Sequence, residues 1–492
     1  MSAVAPPRSG DRRRWIALGV VCMAMLMNTL DGSVVNVALP VIQRDLHIAQ
    51  ANLTWVINAY LITFGSFLLL AGRLGDLVGR KRVFLSGVTL FTLASALCGL
   101  AQDQNLLIAA RFVQGLGGAV SSSVIIAMIV TEFPEPAQRA KAMSAYIFVA
   151  VGGGSIGLLV GGVVTQLVNW HWIFFINIPI GLATLLLGRA LLEESEGIGL
   201  DKGVDVLGSI TVTAALMLVI YAIVSTPDHG WGSAHTLLFG GAGAALLFVF
   251  FALQARLANP IMPLRILRVP GLASTSIVRG LLASGLFSTF FLGALYLERV
   301  RGDSALRTGV AFLPLSLAVG VLSAGITARL MARFGARRVM LPGLVLTAAA
   351  LLLMSRVGEH SGYFPTMFFA LLILGLGAGL AFIPLLAIAM ANVPSADAGL
   401  ASGIVNVSLQ MSGALGLAVL GTISTDHARS LVADGHALPD ALTGGYQLAF
   451  LVGAACVAVG AALAFALLRT PPPTPPAAPA SEPRPALALA ES

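Results

Sequence analysis

Fourteen apolar runs, each about 20 residues long and separated by short polar breaks, account for most of the 492-residue sequence. They fall near 15–39, 52–73, 83–101, 105–130, 142–166, 170–191, 206–226, 235–257, 272–297, 308–331, 338–356, 363–391, 399–423 and 447–468. A run of that length is what a helix needs to cross a bilayer's hydrocarbon core, so the pattern predicts an all-α integral membrane protein with fourteen transmembrane helices. Composition agrees: 10% of residues are charged, against about 25% in ordinary soluble domains, which excludes a soluble enzyme. The three cysteines, Cys22, Cys98 and Cys456, all sit inside apolar runs, leaving no disulfide framework and no cysteine-rich metal site.

The basic residues give the orientation. With the amino terminus inside, 21 of the 29 Lys and Arg fall in cytoplasmic segments, 6 fall outside, and only Arg111 and Arg279 lie within helices. That asymmetry is the positive-inside signal of a multi-pass protein of the plasma (inner) membrane with both termini cytoplasmic. It accounts for the basic balance without nucleic acid. Arg12-Arg13-Arg14 precede a run with no small-residue cleavage site and so mark a retained first helix. The absence of a glycine-rich loop ending in Lys-Ser or Lys-Thr argues against nucleotide hydrolysis.

The sequence also repeats itself. Gly72 to Arg82 aligns with Ala328 to Arg338 at an offset of 256, and Gly115-Leu-Gly-Gly118 aligns with Gly375-Leu-Gly-Ala378 at 260, as do Pro134 with Pro394 and Gly153 with Gly413. An even number of helices precedes each copy, so the copies are parallel, an architecture of secondary transporters in which the substrate site lies between the halves. The resulting division is a basic tail over 1–14, a six-helix bundle over 15–191, a linker with two inserted helices over 192–268, a second six-helix bundle over 269–469 and a Pro/Ala-rich disordered tail over 470–492.

Charge within a bilayer needs a reason, because it costs about 2.5–3.5 kcal/mol on insertion scales. Asp31 lies roughly 24 Å along the first helix and Arg111 roughly 9 Å down the fourth from its opposite end, which puts them at similar depth. Two readings stand: a structural ion pair or two residues snorkelling separately, or a carboxylate that exchanges a proton beside a guanidinium that tunes it. All seven histidines fall in external loops or at helix edges there, so coupling should run through carboxylates, Asp31 first, with Glu132 and Glu298 near helix ends. Polar residues expected at a substrate cavity are Asn28, Asn36, Trp55, Asn58, Gln114, Asn177, Asn406 and Gln410; interhelical hydrogen bonding explains any one of them equally well. The turn holding Gly72, Gly75, Asp76, Gly79, Arg80, Lys81 and Arg82 reads as a latch as well as a topology signal. On the fifth helix Gly153, Gly157, Gly161 and Gly162 form a stripe for close packing or for a moving interface.

In order, these motifs resemble the major facilitator superfamily, specifically its fourteen-helix drug:proton antiporter branch. Leu30-Asp31 to Pro40 is similar to that branch's first-helix signature, Gly72 to Arg82 to the superfamily's loop motif, Arg111 to Gly118 to its helix-four motif, Gly153 to Gly162 to the antiporter motif, and Trp170 to Gly181 to the helix-six signature. Leu158 departs from the usual Pro of the antiporter motif, His171 from a usual Arg, and Leu77 from an often basic position. Ala332 stands in the second-half loop where the first has Asp76.

The resemblance implies two six-helix bundles plus two inserted helices, with Asp76 holding the cytoplasmic ends of the halves together and Arg111 beside the proton path. The function expected is proton-coupled efflux of amphipathic small molecules, such as antibiotics or toxic cations. The alternatives are a dedicated exporter of one endogenous metabolite and a non-transporting receptor or scaffold. Expected partners are the small molecule, protons and the lipid bilayer; no cofactor, metal or nucleotide is expected, and no catalytic group for an enzyme. Only 3 of the 29 basic residues are Lys, a bias that suggests a GC-rich bacterial genome.

Overall fold

A computed structural model describes residues 9–48, 55–194, 197, 199, 205–257, 260, 262–359, 361–394 and 397–468. The side chains of a few helical residues, Asn36 among them, lie outside the described set, as does the 470–492 tail. The described residues form helices joined by short turns, with no strand among them. In chain order the long helices are α1 (Ser9–Asp45), α2 (Trp55–Val78), α3 (Arg80–Gly99), α4 (Gln104–Glu132), α5 (Pro136–Leu167), α6 (Trp172–Leu191), α7 (Val206–Val224) and α8 (Ala234–Gln254). They continue with α9 (Leu272–Leu295), α10, α11 (Ala336–Met354), α12 (Phe368–Met390), α13 (Ala398–Ala433) and α14 (Leu438–Leu467). Helix α10 comes in three pieces, Ala305–Ala311, Leu313–Val321 and Thr327–Phe334, the last two joined by a π turn over Leu322–Ile326.

Thirteen of these fourteen helices are long and apolar enough to span a bilayer. The interruption in α10 has local causes. Pro314 cannot supply the N–H that would carry the helix through Phe312, and Gly325 takes a φ of +105° inside the π turn. Other edges differ from the hydropathy reading because helix outlasts apolarity. Helix α1 already begins at Ser9, inside the segment expected to be a basic tail, and α13 runs ten residues past its apolar stretch through Ser424–Ala433. Those extra turns are polar helix with no further greasy signal to mark them.

Within the first half, α1 packs on α5 and α6, α3 on α4 and α6, and α2 on α4; within the second, α9 packs on α13 and α14, α11 on α12 and α14, and α10 on α12. The second set is the first with eight added to every helix number. The match extends to single atoms. A Cβ on Gly87 would meet the backbone of Val120 and Ser121, and a Cβ on Gly343 would meet Leu380 and Ala381. Likewise Gly115 is pressed on Tyr60 and Thr63, and Gly375 on Leu315 and Ala318. Lipid tails supply no hydrophobic drive between helices, so these backbone-close crossings, which only small residues permit, are what hold each bundle together.

The halves meet along two equivalent seams, α2 against α13 and α10 against α5. The inserted α7 lies over the first seam, packed on α2 and touching α13, with the Trp55 ring stacked on Tyr221 at 5.8 Å. Helix α8 packs on α7 and otherwise faces outward, Phe248 being 76% exposed. Similar outward apolar side chains, such as Leu186 and Phe465, ring the molecule, as a lipid-facing surface requires.

Candidate functional site

The core of the first half encloses a polar cluster. Asp31 of α1 and Arg111 of α4 are each 1% exposed and form an ion pair through Arg111 Nη1 and Asp31 Oδ2. The other carboxylate oxygen accepts hydrogen bonds from Gln114 Nε2 at 2.7 Å and Asn177 Nδ2 at 3.2 Å. Gln114 also accepts from Arg111 Nη1 at 2.6 Å and donates to Ser95 Oγ at 2.8 Å. Arg111 Nε donates to the carbonyl of Val56 at 2.9 Å, and its guanidinium lies over the Tyr60 ring, 4.5 Å from the centroid.

Local sequence sets this up. Arg111 and Gln114 are three apart and share a face of α4, which Asp103 starts by capping the N–H groups of Asn105 and Leu106. Asn177 opens the main stretch of α6 immediately after the turn Trp172–Phe175. That turn is anchored by Trp170, which is 2% exposed, donates from Nε1 to Asp45 Oδ2 at 2.7 Å and stacks on His171. The result is a dry carboxylate with three N–H donors. Removing the guanidinium from such a buried pair leaves an uncompensated charge worth about 3–5 kcal/mol.

At the arginine-rich end of the molecule a second acid does a different job. Asp76, near the end of α2, reaches across the seam to the start of α13: Oδ1 accepts from the N–H of Gly399 at 3.0 Å and Oδ2 from that of Leu400 at 2.9 Å. These are free N–H groups of a helix's first turn, where backbone dipoles favour negative charge. Arg80 pairs with the same carboxylate at 3.1 Å and donates to Thr131 Oγ1 at 2.6 Å. Gly79 turns the chain at a φ of +112°, open to glycine at no steric cost, and Gly335 makes the matching turn before α11 at +85°. Gly72 lets the helices approach, since a Cβ there would sit 2.7 Å from the Gly399 carbonyl. Lys81 ties the turn to the end of α6, donating to the carbonyls of Arg189 at 3.1 Å and Leu192 at 2.8 Å. A second ion pair, Arg265 with Asp397 at 3.0 Å, fastens the segment after the inserted helices to the same end of α13.

The glycine stripe of α5 faces α1 within the first half. A Cβ on Gly157 would overlap Ser33 Oγ, one on Gly153 would come 3.1 Å from the Thr29 side chain, and one on Gly161 would come 3.1 Å from the backbone of Val34. Gly162 is buried on the same helix. The opposite side of α5 meets the second half, where Leu158 and Leu159 back against Gly309.

The other expected residues stand apart from the cluster. Glu132 pairs with Arg14 at 3.9 Å at the arginine-rich end, and Glu298 is exposed in the π turn that follows α9, so neither shares the buried environment of Asp31. Asn28 is buried, bonding Ser122 at 2.7 Å and Ser121 at 3.3 Å. Asn406 is buried with Nδ2 unpartnered among the described residues, whereas Asn58 and Gln410 are half-buried. The Trp55 ring stacks on Tyr221 of α7. The side chain of Asn36 is outside the described residues. Ser95, Tyr60 and Asp397 are absent from the sequence reading. A serine in an apolar helix ordinarily bonds its own backbone, and only the fold shows that Ser95 Oγ accepts from Gln114 and Asn177 instead.

Comparison with known proteins agrees with this geometry. The Major Facilitator Superfamily profile matches residues 21–330 and 282–490. The chain is 36% identical to the puromycin resistance protein pur8 of Streptomyces alboniger, over 93% of this chain and 92% of that one. It is 34% identical to the cephamycin export protein CmcT of Amycolatopsis lactamdurans, over 83% and 84% respectively. Among solved structures, the human organic anion transporter MFSD10 (TETRAN) superposes with a TM-score of 0.64 at 16% identity, covering 93% of this chain and all of that one, a likeness of fold alone. A twice-used six-helix frame, the ordered motifs and these matches together make the chain a member of the major facilitator superfamily, akin to its antibiotic-efflux transporters, and not an enzyme.

Proposed function

We propose that the chain is a proton-coupled exporter of amphipathic small molecules, antibiotics among them, working by alternating access between the two bundles. The observation that carries the proposal is the buried Asp31, paired with Arg111 and held by Gln114 and Asn177. A proton arriving at such a carboxylate cancels the attraction to Arg111 and loosens α1 from α4. Protonation thereby becomes a movement of helices. Asp76, bonded to the first turn of α13, holds the arginine-rich ends of the halves together, the outward-facing arrangement when that end is cytoplasmic. The 21-to-6 distribution of basic residues supports that orientation in the bacterial inner membrane, with both termini inside.

The test is a substrate screen in proteoliposomes carrying an internal pH reporter. Coupled export gives substrate movement together with proton movement in the opposite direction; substrate movement with no pH change rejects the coupling. Relatives whose names specify export of one antibiotic favour a second, narrower reading, a dedicated exporter of one compound. Growth inhibition of a deletion strain across unrelated compounds separates the two. Sensitivity to many compounds supports broad efflux, and sensitivity to one supports the dedicated role.

A further inference from the structure

Helix α9 carries one charged residue, Arg279, about 10 Å from the helix start at the arginine-rich end. It is 4% exposed, and its Nε and Nη1 have no hydrogen-bond partner among the described residues. No acid forms an ion pair with it there. Its guanidinium lies over the Phe382 ring of α12, 5.6 Å from the centroid, and the titratable group that faces it is Tyr146 of α5, from the other half. One turn earlier on α9, Ser276 is likewise buried with an unpartnered Oγ. The place lies where α12 packs on both α9 and α5, helices of the two bundles.

An arginine cannot shed its proton to escape such a site, and burying a cation without a partner is unfavourable. The same fold shows what a resident guanidinium looks like when satisfied, in Arg111 with its acid, amide and carbonyl. Planar N–H donors left free at a seam match the two oxygens of a carboxylate or sulfonate, and the Phe382 ring beside them matches a flat apolar body. We propose that Arg279, Ser276, Phe382 and Tyr146 form an anion-binding subsite on the seam, taking the acidic group of an amphipathic aromatic molecule. The subsite opens when α5 moves away from α9 and α12, so its use in transport rests on the alternating-access reading. Binding in detergent does not rest on proton coupling, and the two can therefore fail separately.

The experiment titrates the full chain, purified in non-ionic detergent, with 1-pyrenebutyrate and with its methyl ester, following quenching of tryptophan emission. The expected result is a preference for the acid of about tenfold or more, typical of a charge-assisted pair in a desolvated site, which Arg279→Gln erases and Arg279→Lys partly keeps. Equal affinity of the parent protein for acid and ester overturns the proposal with no variant needed, as does a preference that survives in Arg279→Gln. If stoichiometric phosphatidylglycerol abolishes the Arg279-dependent binding, the site belongs to a lipid headgroup and the assignment to cargo is overturned. Arg279→Met should raise the melting temperature of the ligand-free protein while losing the acid; a fall in melting temperature marks a structural strut and contradicts the proposal.

Discussion

The two halves share one packing frame and fill it differently. At the repeat offsets, Arg111 and Gln114 of α4 correspond to Leu371 and Leu374 of α12, and Ser95 and Cys98 of α3 correspond to Leu351 and Met354 of α11. All four second-half residues are buried, and the α11–α12 and α10–α12 crossings repeat the glycine contacts of α3–α4 and α2–α4. The frame therefore does not need a polar core in order to fold. What the first half gains from desolvating an acid, a guanidinium and two amides is not packing, which leucine achieves with less desolvation cost. The difference sets the cluster apart from the packing frame, as the role proposed for Asp31 requires.

The largest effect should come from breaking what the halves have in common. Gly87→Leu drives a side chain into the backbone of Val120 and Ser121 on α4, and Gly343→Leu drives one into that of Leu380 and Ala381 on α12. Both variants are expected to lose nearly all monodisperse protein in size-exclusion chromatography, and survival of either would break the equivalence. Next comes the cluster itself. Asp31→Leu alone should cost about 3–5 kcal/mol by stranding Arg111, whereas Asp31→Leu combined with Arg111→Leu and Gln114→Leu, the second half's residues at those two α4 positions, should recover most of that loss. Thermal unfolding of the two variants measures the difference. A triple variant no more stable than the single one would show that the cluster is structural after all.

A smaller effect belongs to the turn between α2 and α3. Asp76→Ala removes two backbone hydrogen bonds to α13 and the pairing with Arg80. At about 1.5–3 kcal/mol for a charged hydrogen bond, the population should shift tenfold or more toward the state open at the arginine-rich end. Cysteine accessibility along the α2–α13 seam reports that shift. The smallest effect is expected from Ala332→Asp, which copies the acid into the second half's turn. Helix α5, on the equivalent seam, already has the acidic Glu135 at its N-cap, so a second acid there meets like charge and the gain should stay below about 1 kcal/mol. A large stabilisation of the closed state there would show that the two turns are interchangeable.

Several of these features were legible in the sequence for identifiable reasons. Charges inside apolar runs are few, and helix rise fixes their depth, so the shared depth of Asp31 and Arg111 follows from counting residues, and their pairing from the packing of α1 on α4. The repeat was legible because turn glycines such as Gly79 and Gly335 recur at one spacing and prove to share a positive φ. The partner of Asp76 was not legible, because the N–H groups of Gly399 and Leu400 belong to backbone and carry no side-chain signature. The break in α10 was hidden inside an unbroken apolar run. Arg279 was visible as a charge within a helix, but that its donors lack partners is a property of what α5, α9 and α12 leave around it.

The most direct measurement compares Asp31→Asn with the parent protein in vesicles loaded with a fluorescent substrate under an imposed proton gradient. Asparagine keeps the shape and hydrogen-bonding reach of the side chain but cannot take up and release a proton. The parent should transport faster as the gradient steepens, and the variant should lose that dependence while retaining substrate binding. Undiminished gradient-driven transport by Asp31→Asn would contradict the role assigned to the buried carboxylate.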